Sequence, residues 1–288
     1  MQVVLGFDME TDIGSWTPFY EGLIHGTPII LDILERHQVS ATFFYTGDAA
    51  RKHPENVQSV LAKMHEVGAH TLFHETIGDS LFDIPGMMPV LADEVPGRLR
   101  LCTEWIEAVA GVRPVSFRCP RLFGSTAVVN ALDALGYLVD ATYPMYYFRE
   151  RLRPYHPSRA DWTQEGDLRI LELPNFADLS MQSQDPYGRD MDQWPIFRTV
   201  GADALLRHID GYASYCEGKG IEPFLCFYFH PWEFHPMLEG DIQFGEGCVR
   251  PDPFIIKNCG PYAAEQLDAL IRSLRARGAE FIQARQAA

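Results

Sequence analysis

Two histidines four residues apart, His70 and His74 in Ala69-His70-Thr71-Leu72-Phe73-His74-Glu75, are the side chains of this sequence best placed to share a metal ion. Neutral imidazole is the commonest metal ligand, and two histidines with one carboxylate leave positions open for water and a carbonyl oxygen. In an extended strand, four residues would hold the rings roughly 13 Å apart, whereas one helical turn brings them to about 6 Å, so the backbone must curl after His70. Carboxylates for the third position stand at Asp8, Glu10 and Asp12. Asp8 and Glu10 are two apart in a strand-like run, so both face the same way with carboxyl groups roughly 6 to 7 Å apart; one can ligate while the other handles a proton.

The elements that must position these groups alternate in period. Val3 to Met9 is an apolar run suited to a buried strand, and Thr27-Pro28 offers an N-cap and an N1 proline to an amphipathic helix ending near His37. A second strand over 40–47 is followed by a helix from Pro54 to Val67 that Gly68 closes, and a short third strand runs into His70. A helix over 91–110 contains Pro96, which predicts a kink or a later start. Strand four is expected at 115–119, a Ser125-capped helix up to Gly136, strand five at 137–142, strand six at 168–174, a helix over 202–216, strand seven at 224–229, and a last helix and strand over 262–277 and 279–284. Periodicity lapses in three expected loop insertions, about 144–167, 175–198 and 232–259.

Strand and helix in this alternation predict an α/β fold with a parallel sheet and right-handed crossovers, and seven or eight units are the number that closes a barrel. An open doubly wound sheet stays as the alternative, but no glycine-rich phosphate loop follows any strand. The 288 residues are read as a single domain.

Composition excludes several classes. An apolar fraction of 47%, a charged fraction of 22% and no long apolar segment predict an ordinary globular chain without a membrane span. A net charge of −15 argues against nucleic-acid or anionic-membrane partners and disfavours an acidic substrate. The run Met1-Gln2-Val3-Val4-Leu5 has no secretory pattern, so a cytoplasmic location is expected, and the six cysteines are expected as free thiols, Cys248 and Cys259 being the one pair flanking a single loop. A homo-oligomer is compatible with all of this.

In a parallel barrel, reactive groups gather at the C-terminal strand ends. Besides Asp8, Glu10, His70 and His74, those ends carry Arg118 after strand four, Asp140 on strand five, and His230-Pro231-Trp232-Glu233 after strand seven. Arg118 is a partner that would hold Asp8 ionised, and Asp140 is the carboxylate best placed in chain order to raise the pKa of His230 into the range of a general acid. Trp16, Tyr146, Tyr147, Trp162, Trp194 and Trp232 are candidate stacking platforms for a sugar ring.

Taken in order, Phe7-Asp8-Met9-Glu10, the H-[ST]-x-x-H stretch His70 to His74, the R-x-P stretch Arg118-Cys119-Pro120, Asp140 and the strand-end His230 resemble the motif series of the polysaccharide deacetylase family, metal-dependent carbohydrate esterases. The resemblance implies an irregular (β/α) barrel and assigns roles. Asp8 would be the base toward the attacking water, Glu10, His70 and His74 the ligands of a divalent metal such as zinc, Arg118 the group orienting Asp8, His230 the acid toward the leaving amine, and Asp140 the residue tuning His230. A backbone N–H near Arg121 would help receive the charge developing on the acetyl oxygen. The reaction implied is removal of an N-acetyl group from a sugar or saccharide precursor; hydrolysis of a small non-sugar amide, as by allantoinase-like relatives, and a saccharide-binding module without catalysis are the alternatives. Two departures stand out. The second acidic residue is a glutamate two positions on, leaving Asp12 as the fallback ligand, and Arg121 stands where tyrosine is frequent. That cation implies a changed or negatively charged substrate group, with Trp232 and Glu233 as further candidate substrate contacts.

Overall fold

The computed structural model describes residues 1–84 and 86–288. Strand β1, Gln2–Met9, is buried along all but its first residue. Its period of two sorts the side chains: Val3, Leu5, Phe7 and Met9 pack outward against the helical layer, and Val4 packs inward with Phe44, Val139, Leu171 and Cys226. A strand covered on both faces has to read as a continuous apolar run, which Val3 to Met9 does apart from Gly6 and Asp8. Those two, with Glu10 just beyond, continue the inward row.

Every pairing in the main sheet is parallel. Strands β2 (Thr42–Tyr45), β3 (Glu66–Ala69), β4 (Ser116–Phe117), β5 (Val139–Asp140) and β6 (Leu171–Glu172) follow β1 on one side, and β7 (Phe224–Phe229) pairs with β1 on the other. The gap between β6 and β7 is spanned by the Phe176 N–H, which donates to the Cys226 carbonyl at 2.8 Å. Two short antiparallel strands, β8 (Ile242–Phe244) and β9 (Gly247–Val249), form a separate hairpin, and β10 (Glu280–Ile282) lies along the first half of β1. The result is an irregular, incompletely closed (β/α) barrel. No helix among the described residues is long and apolar enough to cross a membrane.

Several expected boundaries move, each for a local reason. The first long helix is Glu21–His37, so Pro28 lies inside it and is not its N1 residue. The Asp12 carboxylate accepts from the Glu21 and Gly22 N–H groups at 3.0 and 2.8 Å and so caps an earlier start. Pro54 does open a helix, but it ends at Ala62, and Val67 and Gly68 belong to β3. Gly68 is required by close packing: a Cβ there would run into the Phe44 ring and the Ser116 carbonyl. Pro96 marks the later start, in the first turn of Val95–Ala110. Ser125 caps Thr126–Leu135, and Gly136 ends it with φ 82°.

The insertions are less irregular than expected. Residues 175–198 contain most of the Asp192-capped helix Gln193–Thr199, and 232–259 contain the β8–β9 hairpin and the turn Pro253–Ile256. Cys248 and Cys259 are unpaired, as are the other four cysteines.

Candidate metal centre and catalytic site

Strand β3 delivers His70, and the chain then turns sharply. Thr71 and His74 have φ of 62° and 64°, a left-handed conformation that costs non-glycine residues of order 1–3 kcal/mol each and persists only where the surroundings enforce it. Here the Glu75 carboxylate accepts from the Phe73 and Leu72 N–H groups at 2.7 and 3.3 Å, while Gly47 and Asp48 donate to the Thr71 and Leu72 carbonyls, both at 2.9 Å. The turn brings the two imidazole centroids to 5.2 Å, the curl that the spacing demands.

Glu10 meets them from β1. The three ligand atoms of Glu10, His70 and His74 lie within 4.8 Å of one another, and all three residues are buried. Oε2 of Glu10 is 2.5 Å from His74 Nε2 and 3.6 Å from His70 Nε2. Neither Glu10 Oε2 nor His70 Nε2 makes a hydrogen bond of acceptable geometry, an arrangement that costs free energy unless a further group sits between them. His70 Nδ1 is 2.8 Å from the Arg118 carbonyl, to which it donates, so its lone pair at Nε2 faces Glu10. Burial drives the His74 imidazole down to about 4, which keeps it neutral near pH 7. Burial would raise Glu10, but the two imidazoles outweigh it and hold the carboxyl well below its usual range. A carboxylate held low and imidazole nitrogens turned toward it are the donors a divalent cation requires, and the donor set fits zinc or a neighbouring transition ion.

Asp12, the fallback ligand, is not in this cluster. Its carboxylate is committed to the helix start described above, and burial pushes it up to about 6 against those two backbone N–H groups.

Asp8 lies on the same inward row, and Arg118 crosses the barrel interior to reach it, Nη1 to Oδ1 at 2.9 Å. Gly6 makes room for this, since a Cβ there would collide with the guanidinium. The remaining Arg118 donors go to the Ala141 carbonyl at 2.9 Å, the Phe227 carbonyl at 3.3 Å and Cys226 Sγ at 3.4 Å. One residue therefore anchors the Asp8 carboxylate with its side chain and His70 with its carbonyl.

His230 ends the inward row of β7. Its partner is not Asp140. The side chain of Asp140 accepts from the Thr142 hydroxyl and lies beside Glu172; burial raises the Asp140 carboxyl, and burial with the Asp140 charge pushes Glu172 well above its usual range. The carboxylate on His230 is Glu233, 2.9 Å from Nδ1. The short turn Pro231–Phe234 closes a capping box, with the His230 N–H donating to Glu233 Oε1 at 2.9 Å and the Glu233 N–H to the His230 carbonyl at 3.1 Å. A partner three residues away thus takes precedence over one across the barrel. Burial opposes the charge on His230, but the Glu233 hydrogen bond and the Glu10, Glu233 and Asp8 charges prevail, so its pKa is raised.

Glu233 is consequently not a substrate contact. Fully buried, it also accepts from Arg198 Nε at 2.9 Å and Trp194 Nε1 at 3.2 Å. Arg198 has no signal of its own in the sequence and Trp194 is read there only as a stacking platform, but His-Pro-x-Glu is a capping-box pattern from which the Glu233 contact follows. A second overlooked pair is Gly22 and Gly26, one helical turn apart, where any Cβ would strike the backbone of Trp232 and Pro231. Their absent side chains let the Glu21–His37 helix press the His230 turn into place.

Of these groups, Glu10, His74 and His230 line a cleft of about 240 Å³. Trp16, Trp194 and Trp232 line it together with Arg121, whereas Tyr146 and Trp162 are buried in the core and Tyr147 is exposed elsewhere. Trp232 donates to Glu10 Oε1 at 3.3 Å and stacks on the His230 ring at 5.2 Å between centroids.

Barrel and site together define a class, and sequence comparison supplies a family match. Residues 4–139, just under half of the chain, match the sequence model of the polysaccharide deacetylase family. A peptidoglycan-N-acetylglucosamine deacetylase of Bacillus cereus is 31% identical over 38% of this chain and 45% of its own length. The chain covers between 39% and 55% of the first three curated relatives it matches. Among solved structures, Puue allantoinase superposes with a TM-score of 0.62 at 14% identity, over 99% of this chain and 88% of that one. A family 4 acetyl xylan esterase from Clostridium thermocellum, in complex with a cobalt ion, superposes with a TM-score of 0.51 at 16% identity, over 100% and 90%. At these identities the superpositions establish the shared fold.

Proposed function

We propose that this chain is a metal-dependent amide hydrolase that removes the N-acetyl group from an amino sugar or a saccharide precursor, releasing acetate and a free amine. The observation that carries the reading is the buried Glu10, His70 and His74 cluster, with unsatisfied Glu10 Oε2 and His70 Nε2 atoms, set between an Arg118-held aspartate and a Glu233-held histidine. The matched relatives named as peptidoglycan and chitooligosaccharide deacetylases support the acetyl-sugar assignment.

Glu10, His70 and His74 would hold the cation, and when bound it supplies Lewis-acid polarisation of an acyl oxygen and a water. Asp8, held in place by the Arg118 guanidinium at 2.9 Å, accepts a proton from the water that adds to the acyl carbon. His230, whose raised pKa keeps it protonated to higher pH, donates a proton to the departing nitrogen, without which an amide cannot leave as an amine. Trp232 fixes Glu10 and packs against His230, so one indole sets the spacing of a ligand and the acid.

A smaller, non-sugar amide is the second reading, favoured by a cleft of about 240 Å³, below the roughly 300–1,000 Å³ of typical small-molecule sites. Metal content of the purified protein, followed by acetate and amine release across N-acetyl sugars and small amides, separates the readings. Turnover of sugars supports the first and turnover of small amides alone the second. Metal bound without turnover of any amide refutes both in favour of a binding module.

A further inference from the structure

Arg121 stands apart from the other arginines around the cleft. Arg118, Arg189 and Arg198 each have a carboxylate partner, at 2.9, 3.0 and 2.9 Å from Asp8, Asp192 and Glu233. Arg121 has no carboxylate within ion-pair distance among the described residues, although the Glu10 charge acts on it. Its contacts are neutral and long: His74 Nδ1 at 3.2 Å, the His74 carbonyl at 3.5 Å and the Gly14 carbonyl at 3.4 Å, with the Trp16 ring centroid 5.9 Å from the guanidinium carbon. Even the first of these does not survive ligation. A neutral imidazole that offers Nε2 to a cation carries its hydrogen on Nδ1, and an N–H cannot accept from Arg121.

The guanidinium is nevertheless held in the cleft. Arg121 and Leu122 have φ of 58° and 61°, two successive left-handed non-glycine residues in the turn after β4, and this strained backbone directs the side chain beside the ligand His74. Ile13, Phe82, Ile84 and Leu122 line the cleft with it, beside the polar Glu10, His74, Arg189 and His230, and the apolar part of that wall leaves a charge pair formed there less screened than in water. The planar fork of a guanidinium matches a carboxylate in two parallel hydrogen bonds. With a net charge of −15 the chain offers no long-range attraction to an anion, so selection for one has to come from this contact.

We propose that Arg121 receives a carboxylate of the substrate, making the substrate an anionic N-acyl amide with its carboxylate close to the scissile bond. The proposal deepens the amide-hydrolase reading and rests on it for the identity of the site. Arg121 is then a specificity-determining residue, setting which amide binds without taking part in proton transfer.

The test measures binding by calorimetry to zinc-loaded Asp8→Asn protein, with two matched pairs: N-acetylmuramic acid against N-acetylglucosamine, which differ by one carboxyalkyl ether, and N-acetylglycine against N-acetylglycinamide. In at least one pair the acid is expected to bind about ten- to a hundredfold tighter than its neutral partner, the range of a charge-assisted hydrogen bond. Arg121→Gln should bring that ratio close to one, with Arg121→Lys between the two. Equal affinities within both pairs, no saturable binding of either acid, or a preference that survives Arg121→Gln would overturn the proposal. Turnover is not read, so a wild-type protein that hydrolyses no amide would refute the hydrolase reading without changing this result.

Discussion

Glu233→Gln tests the coupling of the proposed acid to its support. Four donors converge on the Glu233 carboxylate: His230 N, His230 Nδ1, Arg198 Nε and Trp194 Nε1, at 2.9, 2.9, 2.9 and 3.2 Å. Glutamine preserves volume and can still offer one oxygen to His230, but its amide nitrogen then faces two donors. Arg198, fully buried and already with an unsatisfied Nη2, loses its carboxylate partner. Breaking a buried pair from one side costs about 3–5 kcal/mol, which at roughly 2–4 °C per kcal/mol lowers the melting temperature by on the order of 10 °C.

The pH dependence follows from the signs. The raised pKa of His230 contributes stability that is present below its unfolded value and lost as pH rises through the folded one. For Glu233, held low chiefly by the His230 hydrogen bond and the Arg198 charge against the raising effect of burial, the contribution is present above its unfolded value and lost as pH falls through the folded one. The gap in melting temperature between parent and variant should therefore be widest between these two limits and narrow on both sides. In hydrolysis, the high-pH limb of the rate profile should move to lower pH, because the acid loses its proton sooner. The double variant Arg198→Met, Glu233→Gln should regain part of the stability while keeping the displaced limb, which separates fold support from positioning. A single variant that melts with the parent and keeps its basic limb would refute the coupling.

Replacing His70 or His74 with alanine should leave a folded protein without stoichiometric zinc by elemental analysis; full occupancy in either would remove that residue from the ligand set. Asp8→Asn should retain metal yet lose hydrolysis by orders of magnitude, and near-normal turnover would exclude Asp8 as the base. Asp12→Ala should cost about 0.5–2 kcal/mol in denaturant unfolding, as for a lost helix cap, with zinc content unchanged. Loss of zinc there would make Asp12 a ligand.

Much of the architecture was legible because parallel strands buried on both faces must be continuously apolar, as Val3 to Met9 and Phe224 to Phe229 are, and because Ser125, Gly136 and Pro96 mark helix ends by their own backbone chemistry. Asp8, Glu10, His70, His74, Arg118 and His230 were legible as candidates, since they put polar groups at or just beyond the C-terminal ends of apolar strands, where burial alone would not tolerate them. The start of the first long helix was not, because its cap is supplied by Asp12 from nine residues upstream, through a side chain no local pattern connects to it.

The His70–His74 spacing by itself required a curl, and the strand period by itself put Asp8 and Glu10 on one face. Tertiary structure decided which acid serves which partner. Glu10 reaches both imidazoles, Asp12 is drawn away to a helix end, and Asp140 turns to Thr142 and Glu172, leaving His230 to Glu233. Carboxylates near one another in sequence are chemically interchangeable. Only the directions in which the folded backbone points them, and the donors it places within 3 Å, make one a ligand candidate, one a cap and one the support of an acid.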